Sequence, residues 1–316
     1  MQPFIAAPCI ALLLYRAHSR QSLTPPALLT AFLTATIHAL HPYSAPFALL
    51  GIFFLLGSAA TKVKHDVKSR LTLSSSGSPG GEGPRTSIQV LANSGVASLL
   101  ILLSVWKGRG GECWPYGGDL LLVGIVASYA SVAADTLSSE LGILSRGKPR
   151  LITTGREVPP GTNGGVTAWG LLAGVGGSFA IAVASVVLVP FCQKSGGPVG
   201  RVMMEGERRG WGVDDKVMWV VFITVWGALG SVLDSVLGAV LQGTVEDKRT
   251  GKVIEAYGGT RVMTSRESTG KSGRVLRGSD MLDNNQVNFL MALLMSVGGM
   301  VVAGRMWDVP LSSILY

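Results

Sequence analysis

The chain alternates between apolar runs and polar connectors. Runs of about 17 to 25 apolar residues can cross a bilayer as single helices, and such runs lie near residues 24–40, 45–61, 88–106, 119–143, 164–191, 217–241 and 286–305. A shorter run at 3–15 reads either as a span or as a signal-type segment, although Met1-Gln2 supplies no basic n-region. The pattern predicts an all-α, polytopic transmembrane helix bundle of seven or eight spans, forming one integral membrane domain over residues 1–316. Within it, the Ser/Gly-rich stretch inside 72–86 reads as a flexible loop. The connector 242–286 reads as a cytoplasmic loop in which "TVEDKRTGKV" makes a solvated hairpin or loop.

Composition sharpens the class. Charged residues are 15% of the chain, against about 25% in globular proteins. The net charge of +8 resides in the connectors, which points to lipid headgroups, topology or phosphorylated ligands and not to nucleic acid. Cys9, Cys113 and Cys192 form no CxxC motif and are odd in number, so neither a disulfide framework nor a zinc site is expected. The histidines all fall in the first quarter, away from the embedded carboxylates.

Charge also orients the bundle. Of the 27 Lys and Arg, 19 lie in connectors following odd-numbered spans and 7 in those following even-numbered spans. By the positive-inside rule the first set is cytoplasmic. The polar residues of the spans then gather at one depth: Asp135, Ser138, Ser139 and Glu140 in span five, Asp234 and Gln242 in span seven, Gln89 and Asn93 at the start of span four, and Asp283, Asn284, Asn285 and Asn288 at the start of span eight. Ser128, Ser131, Asp135 and Ser138 step by three and four, as do Gly227, Ser231, Asp234, Gly238 and Gln242, so each set shares a helix face. Small residues allow close helix contact, which could bring Asp135 and Asp234 together. Intramembrane carboxylates are costly and mark functional sites, whereas the serines and glycines alone read as packing. Glu140 lies round the helix from Asp135 and is either a site residue or interfacial.

The connector "RGKPRLITTGREVPPGTNGG" supplies Arg146, Lys148, Arg150 and Arg156, then Gly161, Thr162, Asn163, Gly164 and Gly165 at the mouth of span six. Two readings stand. Backbone N–H groups at a helix start, with nearby cations, suit a phosphate; equally, the cations could anchor lipid headgroups and "GTNGG" could be a plain turn with an Asn or Thr cap. There is no Walker A motif.

These residues carry a resemblance. "ADTLSSELG", "KPRLITTGREVPPGTNGGVTAWG", "GSVLDSVLGAVLQ" and "LDNNQVNF", preceded by "ATKVKHDVKSR" and "IQVLANSG", resemble the transmembrane protein 19 family over residues 40–305. The plant branch of that family is associated with phytyl-phosphate kinase activity. The resemblance therefore implies a kinase that converts an isoprenyl monophosphate (phytyl, farnesyl or geranylgeranyl) to the diphosphate at the expense of a nucleoside triphosphate. In that reading Asp135 and Asp234, with Glu140, hold Mg²⁺. Arg146, Lys148 and Arg150 meet phosphates, residues 161–165 cradle one, and Asn284, Asn285 and Asn288 orient the acceptor or nucleotide. A transporter or a non-catalytic membrane protein is the alternative. Without a long Ser/Arg-rich leader, the endoplasmic reticulum or another endomembrane is expected in preference to a plastid.

Overall fold

In a computed structural model, the described residues are 1–74, 80, 83–108, 110–193, 210–255, 257–261 and 274–314. Most of the Ser/Gly stretch expected to be a flexible loop, and much of the 193–216 connector, lie outside them. Each predicted apolar run is a helix: α1 (Pro3–Ser19), α2 (Pro25–Leu40), α3 (Ala45–Lys62), α5 (Ser87–Trp106), α6 (Leu120–Gly142), α7 (Ala168–Leu188), α8 (Val213–Leu241) and α9 (Asn284–Met306), with a single turn, α4 (His65–Lys68), after α3. Among the described residues, α3 and α5 to α9 are the six helices long and apolar enough to cross a membrane; α2 is apolar but shorter. At 1.5 Å per residue, the 17 residues of α1 and 16 of α2 reach about 25 Å, short of a hydrocarbon core of about 30 Å.

The helix starts are written locally. Thr86 caps α5 by accepting from Gln89 N while Gln89 Oε1 accepts from Thr86 N, and Asp283 and Gln286 repeat this box on α9. Asp119 accepts from Leu121 N to start α6, and Thr167 accepts from Gly170 N to start α7. α7 thus begins at Ala168, a few residues later than the apolar run alone predicts, because 164–166 are drawn into a strand pair.

α6 is the axis of the bundle. It packs on α3, α5, α7, α8 and α9, and every residue from Leu120 to Ala134 is buried, the expectation for a helix apolar on all sides. α1 and α2 sit at the periphery, α2 leaning on α5 and α3.

The connectors on the side of the C-terminal end of α6 carry the strands. β2 (Arg150–Leu151) pairs antiparallel with β3 (Gly165–Val166). β1 (Leu73–Ser74), β4 (Thr244–Asp247), β5 (Val253–Glu255) and β6 (Arg274–Arg277) form a sheet in the order β1-β5-β4-β6. The expected hairpin at 244–255 is β4–β5, turned at Asp247, whose carboxylate accepts from Thr250 N, Thr250 Oγ1 and Arg249 N. Hydrogen bonds from Thr250 hold that carboxyl below its ordinary range. The connector read as a loop therefore contributes three strands, β4, β5 and β6, to that sheet.

The opposite end is closed by aromatic packing. Trp114 lies 5.0 Å from Trp211, 5.3 Å from Trp219, 5.4 Å from Phe191 and 5.7 Å from Trp307 between ring centroids. Beside it Cys113 and Cys192 form a disulfide, which corrects the expectation of none. The backbone prepares it: Trp114 N donates to Pro190 O and Cys192 N to Trp114 O, aligning segments that are 79 residues apart in sequence. Disulfides persist in oxidising compartments, and this one joins the two connectors that positive-inside counting assigns to the non-cytoplasmic face.

Alkylation of unreduced, denatured protein is expected to tag one thiol, Cys9, with two more exposed by reductant; three tags without reductant would contradict the pairing. Replacing Cys113 and Cys192 together by serine should lower stability by about 2–4 kcal/mol, read as a reduced Tm.

Candidate functional site

A cavity of about 470 Å³ opens between the C-terminal end of α6 and the sheet, within the about 300–1,000 Å³ range of small-molecule sites. Its walls bring together the polar positions that helical spacing assigned to one depth: Gln89 and Asn93 of α5; Asp135, Ser138, Ser139 and Glu140 of α6; Asp234 and Gln242 at α8; Asp283, Asn284, Asn285 and Asn288 at α9.

The small-residue faces make this possible. A Cβ on Gly230 would stand 2.5 Å from Ser131 Cβ, and one on Gly227 2.6 Å from Ser178 Cβ. α8 therefore lies directly on α6 and α7, and the Asp135 and Asp234 carboxyls come within hydrogen-bonding reach of each other. Asn288 faces them. With its amide turned so that both atoms are satisfied, its nitrogen donates to Asp234 Oδ1 at 3.1 Å and to Asn284 O at 3.0 Å. Two carboxylates this close repel, and a shared proton or a cation relieves that repulsion. Hard oxygen donors of this kind suit Mg²⁺, which takes one or two carboxylates and completes its shell with water and phosphate oxygens. Among the described residues no group of three or more His, Cys, Asp or Glu side chains could hold a metal, so a fully protein-bound cage is not what the cavity offers.

Glu140 has a different task. Its carboxylate accepts from Lys68 Nζ at 2.5 Å and Thr61 Oγ1 at 2.7 Å, and Lys68 also donates to Ala60 O. This nearly buried ion pair clamps α4 to α6 at the cavity edge, so the proposed metal-ligand role for Glu140 competes with an existing partner.

The predicted cations are displaced. Ser145, Gly147 and Pro149 line the cavity, whereas Arg146, Lys148 and Arg150 are exposed and absent from its wall. Arg150 donates to Gly155 O and, like Lys148, pairs with Glu157. Among the described residues the cations that line the cavity are Lys68, Arg85 and Arg261, none of them anticipated, and His65 lines it too. They come from connectors whose fold carries no helical period, so spacing gave no signal. Arg261 pairs with Asp280 at 3.7 Å.

The 161–165 turn lines the cavity but is also a packing device. Gly161 and Gly164 have φ of +86° and +75°, and a Cβ on Gly164 would stand 2.4 Å from Ala239 Cβ. Asn163 fastens the turn to the start of β4, its backbone N donating to Thr244 Oγ1 and its Nδ2 to Gly243 O; Thr162 Oγ1 donates to Pro159 O. Asn285 is likewise engaged, donating to Gly258 O at 2.8 Å. What reaches the cavity with an anion preference is the dipole of three long helices, α5, α7 and α9, whose N-terminal ends all meet it.

The chain belongs to a family of integral membrane proteins described as "Integral membrane protein DUF92", whose model matches residues 8–296. It is 33% identical to Protein PGR of Arabidopsis thaliana over 301 residues, covering 90% of this chain and 91% of that protein. It is also 33% identical to Protein VTE6, chloroplastic, of Arabidopsis thaliana over 160 residues (51% of this chain, 46% of that one). A further relative is an uncharacterized membrane protein of Methanocaldococcus jannaschii, 35% identical over 159 residues, 49% of this chain and 60% of the relative. No solved structure gives a significant match.

Removing one member of a buried ion pair costs about 3–5 kcal/mol, so Lys68→Met should destabilise the protein by that order, and Lys68→Met with Glu140→Gln should recover most of the loss. A thermal melt in detergent reads both; equal damage from the single and double variants would contradict the pairing. Gly164→Ala, strained in φ and overlapping α8, should reduce the yield of folded protein, where Gly147→Ala, with nothing within 4 Å of its Cβ, should not.

Proposed function

We propose that this protein transfers the terminal phosphoryl group of a nucleoside triphosphate to an isoprenyl monophosphate at the surface of an endomembrane. The observation that carries the reading is the paired Asp135 and Asp234 carboxyls in a cavity that also holds cations, amides and three helix N-termini, all at one end of a membrane bundle. The resemblance to the transmembrane protein 19 family supports it.

Phosphoryl transfer is mainly positioning and charge neutralisation, and the residues divide accordingly. Asp135 and Asp234 would hold Mg²⁺, which when bound supplies neutralisation of phosphate oxygens. Asn288 fixes the orientation of Asp234. Asn284 and the 161–165 backbone border the nucleotide phosphates and Arg85 faces the acceptor, while Lys68 and Arg261 hold the cavity edge through their pairs with Glu140 and Asp280. Arg146, Lys148 and Arg150 have no part in the cavity. In the reaction an oxygen of the isoprenyl monophosphate attacks the γ-phosphorus in line; the bond from γ-phosphorus to the β,γ-bridging oxygen breaks, and the nucleoside diphosphate leaves with that oxygen. The acceptor oxygen is already anionic near neutral pH, so no general base is required.

A transporter is supported less well. The polar groups cluster at one end, and the other end is packed with aromatic rings around a disulfide. That disulfide also supports an endomembrane with an oxidising lumen; "chloroplastic" in the name of one relative describes that relative.

Purified protein with labelled nucleoside triphosphate and farnesyl, geranylgeranyl or phytyl phosphate should form the diphosphate only with Mg²⁺. Asp135→Asn and Asp234→Asn should each lower kcat by on the order of 10²–10³ without shifting the Tm downward. Absence of diphosphate from every acceptor would overturn the reading, and undiminished turnover in both variants would remove the carboxyls from it.

A further inference from the structure

A second, apolar cleft lies between α1, α2, α3 and α5, with a volume of about 80 Å³. Leu13 and Leu14 of α1, Ala31 of α2, Phe53 and Phe54 of α3 and Val90 of α5 form it. Its polar border is Arg85, Gln89 and Asn93, and the same three residues line the phosphate-sized cavity. The two spaces therefore share one polar boundary, with hydrocarbon-like walls on one side and carboxylates, amides and cations on the other.

Arg85 is built into that boundary. Its backbone N donates to Ser22 O and its carbonyl accepts from Thr24 N, tying it to the α1–α2 link just before α5 begins. Its guanidinium lies over Gly57 of α3, where a Cβ would stand 2.9 Å from one terminal nitrogen and 3.2 Å from the other. The glycine leaves room for the two terminal nitrogens, whose edge faces α3. Held by backbone on one side and seated against a helix on the other, Arg85 also lines the cavity, where its charge and remaining N–H donors suit a phosphate.

We propose that this cleft receives the isoprenyl tail of the acceptor where it joins the phosphate, with Arg85 binding that phosphate and Gln89 and Asn93 marking the end of the hydrocarbon. The assignment rests on the kinase reading for the identity of the lipid and adds where that lipid sits. The amphiphile is read from the shared border: a ligand seated across Arg85, Gln89 and Asn93 would be apolar at one end and anionic at the other. The cleft is far smaller than the about 300 Å³ and above of a site that encloses a whole ligand. It thus takes the units next to the phosphate, and the remaining chain runs out past the peripheral helices α1 and α2 into lipid.

Gly51 offers a precise test. It lines the cleft, and a Cβ there would meet only Leu13 Cδ1, at 3.8 Å, so a leucine would fill the cleft without striking backbone. The experiment uses the full chain in liposomes with a farnesyl monophosphate carrying a photoreactive diazirine on the first isoprene unit, with peptide mapping of the adducts. Adducts are expected on α1, α3 and α5, displaced by farnesyl phosphate but not by farnesol or inorganic phosphate. Gly51→Leu should weaken them about tenfold or more, since each excluded methylene is worth roughly a factor of four. Arg85→Gln should weaken them about tenfold. Adducts confined to other helices, or adducts unchanged in Gly51→Leu, would overturn the proposal, as would displacement by inorganic phosphate or farnesol alone. Because labelling is read without turnover, correct adducts on a protein that makes no diphosphate would sink the kinase reading and leave the cleft as an isoprenyl-phosphate site.

Discussion

The contact of α6 with α7 and α8 is the constraint on which the rest depends. Glycines 177, 227 and 230 meet alanine and serine positions so closely that no side chain fits between the backbones. In a bilayer, where lipid is as apolar as leucine, such surfaces are what hold helices together. Their consequence is chemical as well as mechanical. With α8 seated on α6, Asp234 has no choice but to stand beside Asp135, and two acids that would each be costly alone become one shallow, oxygen-rich site.

The two ends of the bundle are built from opposite materials. One end is stapled by Cys113–Cys192 and filled with indole rings, and it is rigid and apolar. The other is a cavity roofed by short strands and edged by the Lys68–Glu140 clamp. Three helix N-termini face that cavity, adding positive potential where phosphates would be held, and the backbone caps at Thr86, Thr167 and Asp283 keep those termini formed without any ligand. Chemistry at one face and closure at the other is an arrangement suited to a surface enzyme that draws its acceptor from the membrane.

Much of this was legible in the order of residues, for a physical reason. A bilayer turns sequence position into depth, so Gln89, Asn93, Asp135, Asp234, Gln242 and Asn288 could be assigned to one layer by counting, and helical period then aligned the aspartates. The connectors follow no such rule. Arg146, Lys148 and Arg150 looked like a phosphate site because they are clustered, but Lys148 and Arg150 pair with Glu157 on the exposed surface, and Ser145, Gly147 and Pro149 line the cavity instead. Lys68, Arg85 and Arg261 arrive through contacts between distant segments, as does the cystine. Three-residue strands such as Val253–Glu255 are too short to show a period, which is why the sheet went unread. The glycines of "GTNGG" let the turn lie against α8, the packing reading that stood beside the phosphate one.

The central claim is that Asp135 and Asp234 act together as a cation site for a bound nucleotide. Titration of the purified protein with Mn²⁺ in place of Mg²⁺, followed by electron paramagnetic resonance with a non-hydrolysable nucleoside triphosphate present, tests it most directly. The account predicts one Mn²⁺ site coupled to ³¹P and absent from both Asp135→Asn and Asp234→Asn; a ³¹P-coupled site that survives in both variants, or none in the unaltered protein, would contradict it.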